Sequence, residues 1–259
     1  MIRFNLHRFG EVARWSFTND KSYYLRTSLQ MFVVLTLIYL FFTTKIFWLR
    51  HADDGYTSCF AVTMLMAFVQ IVIGPSLMFY SMKGKRDLQA LLLLPASNFE
   101  KYLVRYATWL VVLVIMVVAY FAADVVQYLV NTLIGNDAKF VTSLFAKIPH
   151  GGESTPTEIL VANSIIICTV WMHSFSALGG VFFRSRKFAS VLTVMAFFVI
   201  SMLQVWLFPN SLSWEIEKAE ATNTLYIADA VYGVWTVLNF WLSYKLFCRI
   251  QNIGKFINI

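Results

Sequence analysis

Charged residues are few in this chain: they make up 14% of 259 positions, against about 25% in an average soluble domain. Apolar residues account for 59% and aromatics for 17%. A single water-soluble core of this length cannot hide so much apolar surface, which excludes a soluble globular enzyme. A disordered chain needs the opposite bias and is excluded too. The three cysteines, Cys59, Cys168 and Cys248, lie in apolar stretches without CxxC or ligand-like spacing. Neither a disulfide framework nor a metal site is predicted from them. The four histidines, His7, His51, His150 and His173, join no H-E-x-x-H or paired acidic motif. His173 lies near Ser176, but no acid is placed to orient it as a hydrolytic base. The phosphate-loop pattern G-x-x-x-x-G-K-[ST] is also missing: Gly84-Lys85 is followed by Arg86, and Phe79 stands where the first glycine belongs. The chain is therefore read as no enzyme, with no cofactor of its own.

What is present is a set of long apolar runs. A helix needs about 20 mainly apolar residues to cross the hydrocarbon. Six segments meet that requirement: 29–49, 58–80, 106–130, 159–183, 188–208 and 225–248. They are apolar nearly all round, and none shows the alternation of a barrel strand. Arg184, Ser185, Arg186 and Lys187 separate the fourth and fifth as a tight hairpin, since three charges in mid-bilayer would be costly. The predicted class is an all-α polytopic membrane protein, with residues 1–259 forming one transmembrane domain.

The net charge of +7 would suit nucleic acid, but its distribution argues otherwise. Fifteen of the 21 lysines and arginines fall before the first span, between spans two and three, between four and five, and after six, and Lys245 lies at that same end of span six. Of the acidic residues, eight fall on the other side and four on the basic side, with Asp124 and Asp229 inside spans. The positive-inside rule then puts both termini in the cytoplasm. The basic excess reads as a topology signal and as contact with anionic headgroups of the lipid bilayer, with no nucleic-acid partner.

Residues 1–28 precede the first span. On a helical wheel Ile2, Leu6, Phe9, Val12, Ala13 and Phe17 share an arc of about 140°, with Arg3, His7, Glu11 and Arg14 opposite. This predicts an amphipathic helix lying in the membrane interface.

The cytoplasmic segment 81–105 is the most informative. Lys83, Gly84, Lys85 and Arg86 stop the second span, and Asp87 suits the start of a new helix. Leu88 to Leu94 makes at most two turns before Pro95 ends it. Ser97 and Glu100 then form the S-x-x-E capping box of a further helix. From Asn98 to Val130 that helix measures about 49 Å at 1.5 Å per residue, so it should protrude beyond a hydrocarbon layer of roughly 30 Å. A short, leucine-rich helix is thereby held out on a stiff stalk, where it needs either lipid or the groove of another protein.

The amphipathic start, the six spans and the run Leu91-Leu-Leu-Leu-Pro-Ala-Ser97 followed by Glu100-Lys101-Tyr102 and Arg105 resemble the permease subunit of bacterial type-2 exporters of the ATP-binding-cassette class. The resemblance covers the whole chain in architecture and about twenty residues in motif. It implies a transport (export) protein of the bacterial cytoplasmic (inner) membrane, whose separate ATPase subunit holds ATP and Mg. It also implies a second permease copy or a homologous permease as partner. By the same resemblance Asp87, Leu88, Leu91, Leu92 and Leu94 belong to a coupling helix that docks on the ATPase, with Ser97 and Glu100 capping the stalk. A membrane scaffold or assembly factor without transport fits the composition too, its leucines then resting on lipid.

Two carboxylates sit inside spans near their outer ends. Asp124 and Asp229 either line an outward vestibule or are interfacial groups paired with Lys139 or backbone donors. Gln70 and Gln204 read as interhelical hydrogen-bond groups. Gly74-Pro75 predicts a break in the second span, as a hinge or as a static bend. Ser176 and Gly180 form a small-xxx-small pair that favours close helix packing. The exterior segment 131–158 carries turn signals at Pro149, Gly151, Gly152 and Pro156. Around Trp214 and Glu215 an amphipathic piece is expected at the outer interface.

Overall fold

The computed structural model describes residues 4–44, 52–82, 85–147, 155–183, 188–207 and 218–250, and among these the chain is all-helical with no strand. Helix α1 (Leu6–Asn19) starts where the Asn5 side chain accepts from the backbone N–H groups of His7 and Arg8, at 2.9 and 3.3 Å. It is followed by α2 (Lys21–Thr43) and α3 (Ala52–Ile73). At Gly74 α3 tightens into a 3₁₀ turn, Gly74–Leu77. Pro75 has no N–H to continue the helix, and the Ser76 hydroxyl donates to the Ile73 carbonyl at 2.7 Å. The break expected at Gly74-Pro75 is therefore present and buried.

Next come α4 (Lys85–Leu93), α5 (Asn98–Tyr106) and α6 (Thr108–Ile134). Only Ala107 separates α5 from α6, and its φ and ψ of −65° and −11° remain in the right-handed region. Together they make up a helical stretch of 37 residues, Asn98–Ile134. It ends at Gly135, whose φ of +78° is a left-handed stop that glycine adopts without strain. A second 3₁₀ turn covers Val141–Lys147. Helix α7 (Pro156–Phe182) opens on a capping box between Thr155 and Glu158, with Pro156 at its first position. Helices α8 (Ala189–Leu207) and α9 (Lys218–Ile250) complete the described chain.

Among the described residues five helices are long and apolar enough to cross a membrane: Lys21–Thr43, Gly55–Leu77, Asn98–Ile134, Glu158–Phe182 and Leu225–Arg249. Where the fifth span is expected, α8 forms, but its apolar stretch Ala189–Leu203 is shorter than a span. On α6 the apolar residues Val114, Val118, Phe121, Val125, Leu129 and Leu133 are all exposed on successive turns. Such a seam is stable against lipid and not against water. Residues 184–187 and the segment around Trp214 and Glu215 lie outside the described residues, as does the side chain of Gln204.

The chain forms two compact units. One comprises Phe17–Ile71 and Trp109–Gly152. Its core joins Leu35 and Tyr39 of α2, Tyr56 and Cys59 of α3, Ala119, Tyr120 and Ala123 of α6, and Val141. The Tyr39 hydroxyl is satisfied inside that core by Thr63 at 2.7 Å.

The other unit comprises Met1–Ser16, Val72–Thr108 and Glu153–Ile259. Here α7 and α9 run side by side and are joined by polar groups. Asn239 donates to Ser174 at 3.1 Å, Ser243 to the Ala177 carbonyl at 3.2 Å, and Ser164 to Asp229 at 2.8 Å. Buried hydroxyl and amide groups of this kind hold apolar helices in register. Met78, Phe79, Tyr102, Ala177, Val181 and Phe247 fill the space around them.

Candidate functional site

The short helix α4 ends at Leu93 because Pro95 follows, and the next helix is started by its own cap. The Glu100 N–H donates to the Ser97 hydroxyl at 3.2 Å, and the Ser97 N–H donates to Glu100 Oε2 at 2.8 Å. Both halves of the predicted capping box are made. The Lys101 ammonium folds back to donate to the Leu92 carbonyl at 2.6 Å. It thereby covers one of the orphan acceptors at the α4 C-terminus, where positive charge is favoured.

Glu100 does more than cap. Its Oε1 accepts from the Asn5 N–H at 2.8 Å and from Arg8 Nη2 at 2.7 Å, while Oε2 accepts from Arg8 Nε at 2.8 Å. The arginine fork is bidentate, and with Ser97 the carboxylate receives four donors. Glu100 itself is fully buried, whereas the Arg8 side chain keeps 30% of its surface exposed. Hydrogen bonding to Glu100 raises the Arg8 guanidinium above its ordinary range, so the pair stays ionised. One turn further along α5, Arg105 is also fully buried. Its Nη2 and Nε donate to the Met78 carbonyl at 2.7 and 3.2 Å, Nη1 to Ser16 at 3.0 Å, and Nη2 to Ser81 at 2.5 Å. Arg8–Glu100 and Arg105–Ser16 thus fasten α1 to α5 at both ends.

Between these polar fastenings lies a small apolar core. Val12, Ala96 and Val104 are buried together, with Phe9, Ala13 and Leu94 packed against them. The middle of the α1 apolar face, expected to lie on the membrane, is covered by the chain itself. Amphipathicity fixes that a face must be buried but not by what. Leu6 and Phe17, at the ends of that face, remain exposed.

The α4 leucines separate in the same way. Leu91 is fully buried, Leu92 is half-buried and Leu94 packs on the α1 face, while Leu93 is 83% exposed. Of the leucines expected to dock, Leu91 and Leu94 are turned toward the chain's own interior. The outward position belongs to Leu93, which a count of leucines alone did not single out. The side chains of Asp87 and Leu88 lie outside the described residues.

Asp124 is 1% exposed. Its Oδ1 accepts from the Val141 N–H and from Gln127 Nε2, both at 2.9 Å, and its Oδ2 accepts from the Thr142 N–H at 3.0 Å. It lines no vestibule: it closes the start of the 3₁₀ turn Val141–Lys147 by the backbone-donor alternative. Gln127 also donates to the Lys139 carbonyl at 2.8 Å, and Asn131 donates to Thr43 at 2.9 Å. Asp124, Gln127 and Asn131 stand at i, i+3 and i+7 and make one buried polar stripe on α6, a helical spacing that the sequence carried. Asp124→Ala strands three donors and is expected to cost about 3 kcal/mol. Amide exchange at Val141 and Thr142, followed by mass spectrometry, should then accelerate; unchanged exchange would contradict the anchoring role.

Asp229 is half-buried and serves Ser164 across the α7–α9 contact. The Nε2 of His173 pairs with the Tyr106 hydroxyl at 2.5 Å, and Phe240 lies against both rings. Among the described residues no group of three His, Cys, Asp or Glu side chains is placed to hold a metal ion. In this arrangement α4 has Leu91 buried and Leu93 exposed at its end. No protein-family model matches the chain, and neither does any curated protein or solved structure.

Proposed function

We propose that this chain is the membrane-spanning subunit of an ATP-driven exporter, with α4 docking on a separate ATPase that holds ATP and Mg. The observation that carries the reading is the division of α4. Leu91 and Leu94 are spent internally, and the exposed Leu93 stands at the end of a helix tied to α5 by Lys101. A leucine left almost wholly exposed on a fixed support is suited to a partner's pocket, because little ordering entropy remains to be lost on binding. A push on α4 passes through Lys101 to α5, and through Glu100 to α1. The break at Gly74-Pro75 gives the helix pair a point at which to bend.

In this reading α8 completes a sixth span, both ends of the chain face the cytoplasm, and two permease chains flank the path in a bacterial inner membrane. The test is the ATPase activity that accompanies the tagged chain when it is purified from its native membrane. Leu93→Asp buries a charge at the contact and should lower that activity about tenfold, with unchanged yield and helicity. Leu91→Asp should instead lower the yield of folded chain. ATPase activity undiminished by Leu93→Asp would contradict the docking surface.

A further inference from the structure

Helix α9 carries an exposed apolar stripe with a basic end. Val234, Leu238 and Trp241 are exposed on one face, and Lys245 and Arg249 continue it, also exposed. At 100° per residue these five positions fall within an arc of about 80°. The Lys245 ammonium lies 5.6 Å from the centre of the Trp241 ring, within the range of a cation–π contact. The tryptophan thus holds the charge over its own face. Among the described residues no carboxylate pairs with Lys245 or Arg249. The helix's aspartate, Asp229, lies on another face and is bonded to Ser164.

We infer that this stripe is a binding site for an anionic phospholipid of the phosphatidylglycerol class. Its phosphate lies between Lys245 and Arg249, its interfacial region against Trp241, and an acyl chain along Leu238 and Val234. Three features favour this occupant over an uncharged lipid or a protein. Side chains at i and i+4 on a helix stand about 5–6 Å apart, so two cations can share one phosphate. Tryptophan settles at headgroup depth. The helix C-terminus adds its own preference for positive charge, which keeps Arg249 in place. The inference requires that α9 cross a bilayer and does not depend on what the chain transports.

The test is native mass spectrometry of the purified full chain after delipidation, titrated separately with phosphatidylglycerol and phosphatidylcholine. Two basic groups should favour the anionic lipid about thirtyfold, with one tightly retained molecule per chain. The Lys245→Gln and Arg249→Gln double variant should lose that preference, and Trp241→Leu should weaken it. Lys21→Gln with Arg26→Gln removes equal charge from exposed positions and should leave it intact. Equal retention of both lipids by the wild type overturns the proposal, as does equal loss in both double variants. Displacement of the adduct by inorganic phosphate would also overturn it, since the site would then bind phosphate without the lipid.

Discussion

Arg105→Ala should destabilise the protein by about 4 kcal/mol, because four hydrogen bonds from one buried guanidinium disappear together. The loss is greater than that of an exposed ion pair, for which about 0–1 kcal/mol is typical. Once the side chain is gone, the Met78 carbonyl loses both donors from Arg105, and Ser16 and Ser81 lose a charged partner. Arg105→Lys keeps the charge but replaces a planar fork by a point, so it should recover less than half of the loss. Thermal unfolding in detergent, read by near-ultraviolet circular dichroism, checks both. Because α1 is tied to α5 through Ser16, limited proteolysis should also cut α1 faster in the alanine variant. An unchanged melting temperature with unchanged proteolysis would mean that α1 is held by its apolar contacts alone.

Gly180→Ala and Gly233→Ala should shift stability in opposite directions although both lie inside helices. A Cβ at Gly180 would stand 2.8 Å from the Pro75 carbonyl oxygen and 2.9 Å from Ser76 Cα. Both atoms are backbone, so no rotamer change relieves the contact and α7 must move away from the 3₁₀ turn. Overpacking of this kind costs about 1–3 kcal/mol, more than the roughly 1 kcal/mol that alanine gains over glycine in a helix. Gly180→Val should be worse. A Cβ at Gly233 meets nothing within 4 Å, so the helix preference acts alone and the variant should be neutral or stabilised by up to about 1 kcal/mol. Parallel unfolding curves of the two alanine variants test the claim. The same sign in both would show that the close approach of α7 to Pro75 is relaxed in solution.

Local signals in the sequence read well, and distant ones did not. Ser97-x-x-Glu100 and Gly74-Pro75 act within a few residues, so their consequences follow from backbone chemistry alone. The long apolar runs behave likewise, because crossing a bilayer depends on length and composition. Leu91 and Leu93 were not separable in this way. With leucine at 88 and at 91 through 94, every side of a two-turn helix is apolar, and only the tertiary surroundings decide which side turns inward. The pairing of Glu100 with Arg8 spans 92 residues, and the cap alone accounts for the presence of the glutamate. The wheel of α1 predicts an apolar face, and only the tertiary surroundings show that Ala96 and Val104 cover its centre while Leu6 and Phe17 stay exposed. Asp124 taken with Gln127 and Asn131 at helical spacing belongs to a stripe whose partners lie on the same helix, in the segment that follows it and at Thr43 of α2.

The outward tip of α4 is the centre of the functional proposal, and a photoreactive amino acid at position 93 tests it most directly. Illumination of cells carrying the full chain should yield a covalent adduct between position 93 and a nucleotide-binding polypeptide. The same group at Leu133, exposed in the last turn of α6, should yield none. An adduct at position 93 with lipid alone, or the polypeptide adduct at both positions, would contradict docking on an ATPase.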